Sequence, residues 1–88
     1  MKIRNFTNDN GRNIPNQFIL EFENGIAFQS YKSMIAVKPT KGKTKLDVNY
    51  WNYSRTTGKY RNLFLREKKA DTEKKIASGE YELVDLNQ

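Results

Sequence analysis

The chain contains no cysteine and no histidine. Without thiols there is neither a disulfide framework nor a thiolate metal site, and nothing points to an oxidising compartment. Without imidazole as well, a structural zinc site is excluded and the commonest general acid/base is missing. A metal would have to be a hard cation held by oxygen, yet no acidic loop shows the calcium-binding spacing. Prolines number two, and none follows Pro39. Hydrophobic residues make up 36% of the sequence, and no apolar run approaches the length that spans a membrane. The N-terminal MKIRNFTNDN has charge but no apolar core of a signal peptide, so the expected location is the cytoplasm in which the chain is made.

What is present fits one small domain. Two cores within 88 residues would each be too small to bury enough apolar surface, so residues 1–88 are read as a single unit. Five Phe, five Tyr and one Trp supply the large side chains around which a modest core can close. The formal net charge is +6 and unevenly spread. Residues 54–70 carry six basic side chains and one acidic one, whereas residues 71–88 carry two basic and five acidic. A positive field concentrated in one short segment favours a polyanionic partner.

Periodicity gives the elements. Residues 1–6 read as a short edge strand, and TNDNGRNIPN, rich in turn formers, as a loop. From Gln17, Phe18, Leu20 and Phe22 alternate with Ile19, Glu21 and Glu23, the period of a half-buried strand. Asn24-Gly25 is a hairpin signal of the type I′ kind, and Ile26 to Tyr31 returns with Ile26 and Phe28 on one face. Met34 to Lys38 forms a third strand ending at Pro39. After a turn at residues 39–43, Leu46, Val48 and Tyr50 alternate with Lys45, Asp47 and Asn49 as a fourth. This antiparallel meander needs a cover on one face. Ser54 is an N-cap for a helix that carries Tyr60, Leu63 and Phe64 on one face. Asp71 or Thr72 opens a second helix that Gly79 closes, and Tyr81 to Leu86 reads as a final strand. The expected class is α+β: a four-stranded antiparallel meander, with short edge strands at both termini, packed against one or two C-terminal helices.

Wound as one helix, residues 54–69 place Arg55, Lys59, Asn62, Arg66 and Lys69 on a single stripe. Such a stripe is either the solvated side of a packed helix or a surface that contacts phosphates, on which Asn62 can reach a base edge. Arg61 and Lys68 add charge to the same segment. Trp51 and Tyr53 lie just before it; an outward aromatic there stacks on an unpaired base, whereas an inward one seals the junction of sheet and helix. Lys32, Lys38, Lys41, Lys43 and Lys45 either extend the basic surface or protect strand edges from pairing.

The runs FQSYKSMIAV and YWNYSRTTGKYRNLFL resemble a pattern in small uncharacterised proteins of tailed bacteriophages. The resemblance spans roughly residues 26–83 and rests on Trp, Tyr-Ser, Thr-Thr and Phe-Leu at fixed offsets. It implies a phage or prophage origin, hence a host cytoplasm, and a compact domain, and it assigns no residue a role. SRTTGKYRN is also similar to the start of a helix-turn-helix recognition helix, but the segment before it reads as a strand, so the motif's first helix is missing.

Carboxylates that could serve catalysis are scattered. Glu21 and Glu23 share a strand face, Asp47 sits on another strand, and Asp71 and Glu73 open a helix. Gly58-Lys59 lacks the upstream glycine and trailing hydroxyl of a phosphate-binding P-loop. The expected protein is therefore not an enzyme and uses no cofactor or metal. It binds nucleic acid, DNA or RNA, through Arg55, Lys59, Arg61, Asn62, Arg66 and Lys69, with Trp51 and Tyr53 as stacking groups. The alternative is a protein-interaction module that modulates a host or phage protein. Neither needs a membrane.

Overall fold

A computed structural model describes residues Met1–Gln88. Six strands, β1 (Lys2–Thr7), β2 (Asn13–Phe22), β3 (Gly25–Ser30), β4 (Ser33–Pro39), β5 (Lys45–Asp47) and β6 (Glu82–Val84), form one sheet in sequential order. Helices α1 (Arg55–Leu65) and α2 (Lys69–Ser78) lie between β5 and β6. The first five strands pair antiparallel, and β6 joins β5 in parallel. A parallel neighbour needs a long crossover, and the segment between β5 and β6 supplies it while carrying both helices. The α+β meander with short strands at both ends is the architecture expected from the sequence.

Several details differ. The loop between β1 and β2 is only residues 8–12, closed by the Asn8 side chain, which accepts from the Asn10 and Arg12 N–H groups at 2.9 and 3.0 Å. Strand β2 therefore begins at Asn13, and Pro15 sits in it ahead of Gln17, where pairing with β3 starts; no ladder donor is required there. The β2–β3 turn is centred on Glu23-Asn24 rather than Asn24-Gly25, because Phe22 pairs with Gly25. It is not type I′: neither central residue has positive φ. Gly25 itself has φ +155°, and a Cβ there would collide with the Lys38 carbonyl oxygen and approach Pro39 Cα to 2.8 Å, so glycine serves close approach of β4.

Cross-strand partners point to the same face. Ile19 opposes Phe28, and Phe28 opposes Ala36, which opposes Leu46. Phe28, Ala36 and Leu46 form the core with Ile35, Tyr60, Phe64, Leu65 and Tyr81. The register slips between Phe28 and Gln29, leaving Ile35 as an extra residue in β4; this bulge lets the neighbours Ile35 and Ala36 both be fully buried. The Phe6 ring meets Phe28 edge-on at 5.4 Å and Tyr60 at 5.2 Å. On β2 the helix-facing row is thus Gln17, Ile19 and Glu21. Leu20 faces the other side, aligned with Ile3, Ala27 and Val37, and no helix covers that row.

Strand β5 is half the expected length. The Asp47 carboxylate, fully buried, accepts from the N–H groups of Asn49 and Tyr50 at 3.0 and 2.8 Å and turns the chain toward α1. Its other oxygen accepts from Leu86 N–H at 2.7 Å, pinning the segment after β6. Asn87 continues this attachment through two hydrogen bonds to the Met34 backbone.

Candidate nucleic-acid interface

Ser54 caps α1 as expected, its Oγ accepting from Thr57 N–H at 3.1 Å. The cap and the Gly58 N–H bond to the Ser54 carbonyl leave the N–H groups of Arg55 and Thr56 with no intrahelical acceptor. The first turn carries no acidic residue, so the partial positive charge of the helix end is not neutralised locally.

The buried side of α1 is Thr57, Tyr60, Arg61, Phe64 and Leu65, the i, i+3, i+4, i+7, i+8 pattern of an amphipathic helix. Two sequence assignments are thereby exchanged. Leu63, expected in the core, is exposed, and Arg61, expected to contact nucleic acid, is 1% exposed. Tyr60, Phe64 and Leu65 define an arc that includes position 61, so the arc itself held the signal; the charge of Arg61 drew it to the surface reading. Its Nη1 donates to the Trp51 carbonyl at 2.8 Å and to Asn52 Oδ1 at 3.3 Å, and its Nη2 to Asn62 Oδ1 at 3.0 Å. Every one of these acceptors is neutral, and Nε has none. Burial pulls the guanidinium pKa down, and the more distant Glu73 and Glu67 carboxylates partly oppose that.

Trp51 is half-buried against the core, and its ring centroid lies 5.3 Å from Arg61 Cζ. Trp51 therefore seals the junction of sheet and helix, and one face of its ring is occupied by a cation. Tyr53 is 53% exposed, braced edge-on by Tyr50 at 5.5 Å, and it alone of the two keeps a free aromatic surface.

The stripe is also broken at one point. Arg66 ends α1 in the left-handed conformation, φ 57° and ψ 45°, with its N–H on the Asn62 carbonyl, so residues 54–69 are not one helix. Arg66 lies outside the lining of the basic groove that the two helices form, beside Glu67, Asp71, Lys74 and Lys75; the Lys38 pKa is lowered by burial and then by the Arg66 charge. Chain reversal brings Lys69, the first residue of α2, back beside α1. The result is an open groove of about 500 Å³ lined by Asn52, Ser54, Arg55, Gly58, Lys59, Arg61, Asn62 and Lys69, with no apolar and no acidic residue. Arg55, Lys59 and Lys69 are exposed, and none of the groove's four cations has a carboxylate within 4.0 Å.

The corner between the helices is held by Glu67, which sequence reasoning did not single out. Its Oε1 accepts from Lys75 Nζ at 2.7 Å and from the Tyr81 hydroxyl at 2.8 Å, and its Oε2 accepts from Thr72 Oγ1 at 2.6 Å. Burial pushes the Glu67 pKa up, but the hydrogen bonds from Lys75, Thr72 and Tyr81 outweigh it and hold the group below its usual value. Tyr81 is pushed up to about 12 by burial and by its bond to Glu67. No acidic residue of the C-terminal region lines the groove, although the Glu73 charge acts on Arg61; Glu80 lies 4.0 Å from Lys75. Nor do the other candidate carboxylates converge. Glu21 pairs with Arg4 at 3.7 Å, and Asp47 is committed to backbone N–H groups. The helix-turn-helix likeness finds no support in the order of elements, since a strand and a turn precede α1.

A model of DUF8033, a family of unknown function, matches residues 1–80, and the chain belongs to that family. No curated protein and no solved structure matches the chain.

Proposed function

For this DUF8033 member we propose a non-catalytic role in binding nucleic acid through the basic groove between α1 and α2. The observation that carries the reading is the set of cations in that groove, Arg55, Lys59 and Lys69 at the surface with Arg61 beneath, all without carboxylate partners in a chain that has ten acidic residues. Structural surface charge is ordinarily interspersed with the opposite sign; one sign gathered in a concave site raises the local concentration of a polyanion. Lys and Arg side chains contact phosphates and release condensed counterions, while Asn52 and Asn62, whose Oδ1 atoms accept from Arg61, offer their Nδ2 donors at the same level. Exposed Tyr53, adjacent to Ser54 at the groove, supplies a face for an unpaired base. Nothing in the groove reads a sequence through a defined set of base edges, so the binding is sequence-tolerant. In keeping with the resemblance to tailed-phage proteins, the chain acts as a small phage-type accessory protein in a bacterial cytoplasm.

Fluorescence anisotropy of labelled single- and double-stranded oligonucleotides tests this, with Arg55, Lys59 and Lys69 substituted together by Ala. Salt-sensitive binding that the triple substitution removes supports the groove. A second reading, docking of the same groove on an acidic patch of a host or phage protein with Tyr53 as an anchor, is favoured by the exposure of Tyr53. A stoichiometric, nuclease-insensitive protein partner in a pull-down, together with no oligonucleotide binding at low salt, selects it.

A further inference from the structure

Arg61 is a buried cation that hydrogen-bonds to no anion; Glu73 and Glu67 act on it only through their more distant charge. A guanidinium that leaves water is ordinarily matched by a carboxylate, because an unpaired buried charge is strongly unfavourable. Here the partners are a carbonyl and two amide oxygens, Nε lacks an acceptor, and the residue lines the floor of the groove. The first-turn N–H groups of Arg55 and Thr56 are unused by the helix, and Arg55, Lys59 and Lys69 line the same groove as Arg61. Gly58 adds a second feature. A Cβ built there would lie 3.7 Å from both terminal nitrogens of Arg61, in ordinary van der Waals contact, so the missing side chain keeps the layer over the buried guanidinium thin. Glycine in a helix interior is otherwise unfavourable.

We infer that this end of the groove is a seat for a phosphate dianion, the terminal phosphomonoester of a nucleic-acid strand or free phosphate. The inference rests on the nucleic-acid reading of the groove and deepens it by naming the part of the ligand that is recognised. An internal phosphodiester brings one negative charge, whereas a monoester brings nearly two, with three strongly accepting oxygens. Three exposed cations and a fourth buried beneath them line one groove that starts at Ser54 and Arg55, the positive end of α1, which matches the higher charge. Exposed Arg55 provides a planar fork for two of the oxygens. The buried Arg61 acts through its fixed charge and by holding Asn52 and Asn62 in place. The seat thus prefers strand ends to strand interiors.

The test uses the full chain labelled with ¹⁵N. Inorganic phosphate titrated at constant ionic strength against chloride is expected to shift the Arg55, Thr56 and Gly58 amides and the Arg61 Nε–H saturably. A 5′-phosphorylated oligonucleotide is expected to bind at least tenfold tighter than the 5′-hydroxyl oligonucleotide of the same sequence. Gly58→Ala, which favours helix and so keeps the fold, is expected to reduce that ratio below threefold by holding a bound phosphate farther from the guanidinium. Saturable phosphate shifts without a preference for the phosphorylated strand support the seat and assign it to free phosphate. No saturable shift together with equal affinity for the two oligonucleotides overturns the seat while leaving the groove's nucleic-acid reading intact; no shift and no oligonucleotide binding overturns both.

Discussion

Replacing Glu67 by Ala removes the clamp that holds the two helices in their observed relation, and the structure sets the size of the loss. The carboxylate is 6% exposed and accepts three hydrogen bonds. Lys75 is about a third exposed and rehydrates when released, so its loss costs little. The Tyr81 hydroxyl, on a residue 9% exposed, loses a charge-assisted bond, a loss of about 2 kcal/mol. Thr72 is fully buried but can lean on the Lys68 carbonyl, now 3.4 Å away, so its loss is nearer about 1 kcal/mol. The expected destabilisation is about 3 kcal/mol, which for a domain of this size lowers Tm by roughly 12–24 °C. Glu67→Gln keeps one acceptor and should lose about half as much. Urea denaturation followed by Trp51 fluorescence and by far-ultraviolet circular dichroism measures both. A loss below about 1 kcal/mol for the Ala variant, with unchanged m-value, would refute the clamp and remove the reason for Lys69 to sit across from Lys59.

Three further perturbations follow from the same geometry. Asp47→Ala strips acceptors from three backbone N–H groups at 2.7–3.0 Å and should cost about 3 kcal/mol in urea denaturation; a neutral result would show that the turn after β5 holds itself. Ser54→Ala removes the cap of α1 and should cost about 1 kcal/mol, visible as reduced amide protection at Thr57 in hydrogen exchange. Stability should also vary with pH at both ends. The Glu67 pKa is depressed on folding, so its contribution is complete above the usual Glu value and is lost as pH falls below about 4.5. Tyr81 is raised to about 12, so its contribution is complete below about pH 10 and is lost between there and about 12. In Glu67→Gln the acid limb should disappear and the alkaline limb should shrink without vanishing, since burial, the first cause of the raised Tyr81 pKa, remains; pH-dependent thermal melts check this.

The strands from Gln17 to Pro39 were legible because β2 and β3 alternate around a turn and β4 is a short apolar run that stops at a proline. What periodicity did not show is which side the helices cover. Both rows of β2 carry apolar residues, Ile19 on one and Phe18, Leu20 and Phe22 on the other, and only the pairing of Ile19 with Phe28 decides. Strand β5 looked longer because Val48 and Tyr50 keep the alternation, while a local bond from Asp47 to the following N–H groups overrides it. The long helix of residues 54–69 was interrupted by an arginine in a left-handed conformation, a position where glycine is the usual signal. In the groove, Arg55, Lys59, Asn62 and Lys69 were legible from spacing, although Lys69 arrives by a chain reversal and not along the stripe. Arg61 was misplaced because charge outweighed its position on the apolar arc.

The most direct measurement of the central claim is the salt dependence of oligonucleotide binding. Three exposed cations in the groove predict a log-log slope of about −2.7 on duplex DNA and about −2.1 on single strands, with binding removed in the Arg55/Lys59/Lys69 to Ala variant. Loss of Arg66 by Arg66→Ala should leave the slope within about half a unit of that value, since one phosphate contact would change it by about 0.9. Absence of binding at low salt, or a slope that the triple substitution does not change, would contradict the account.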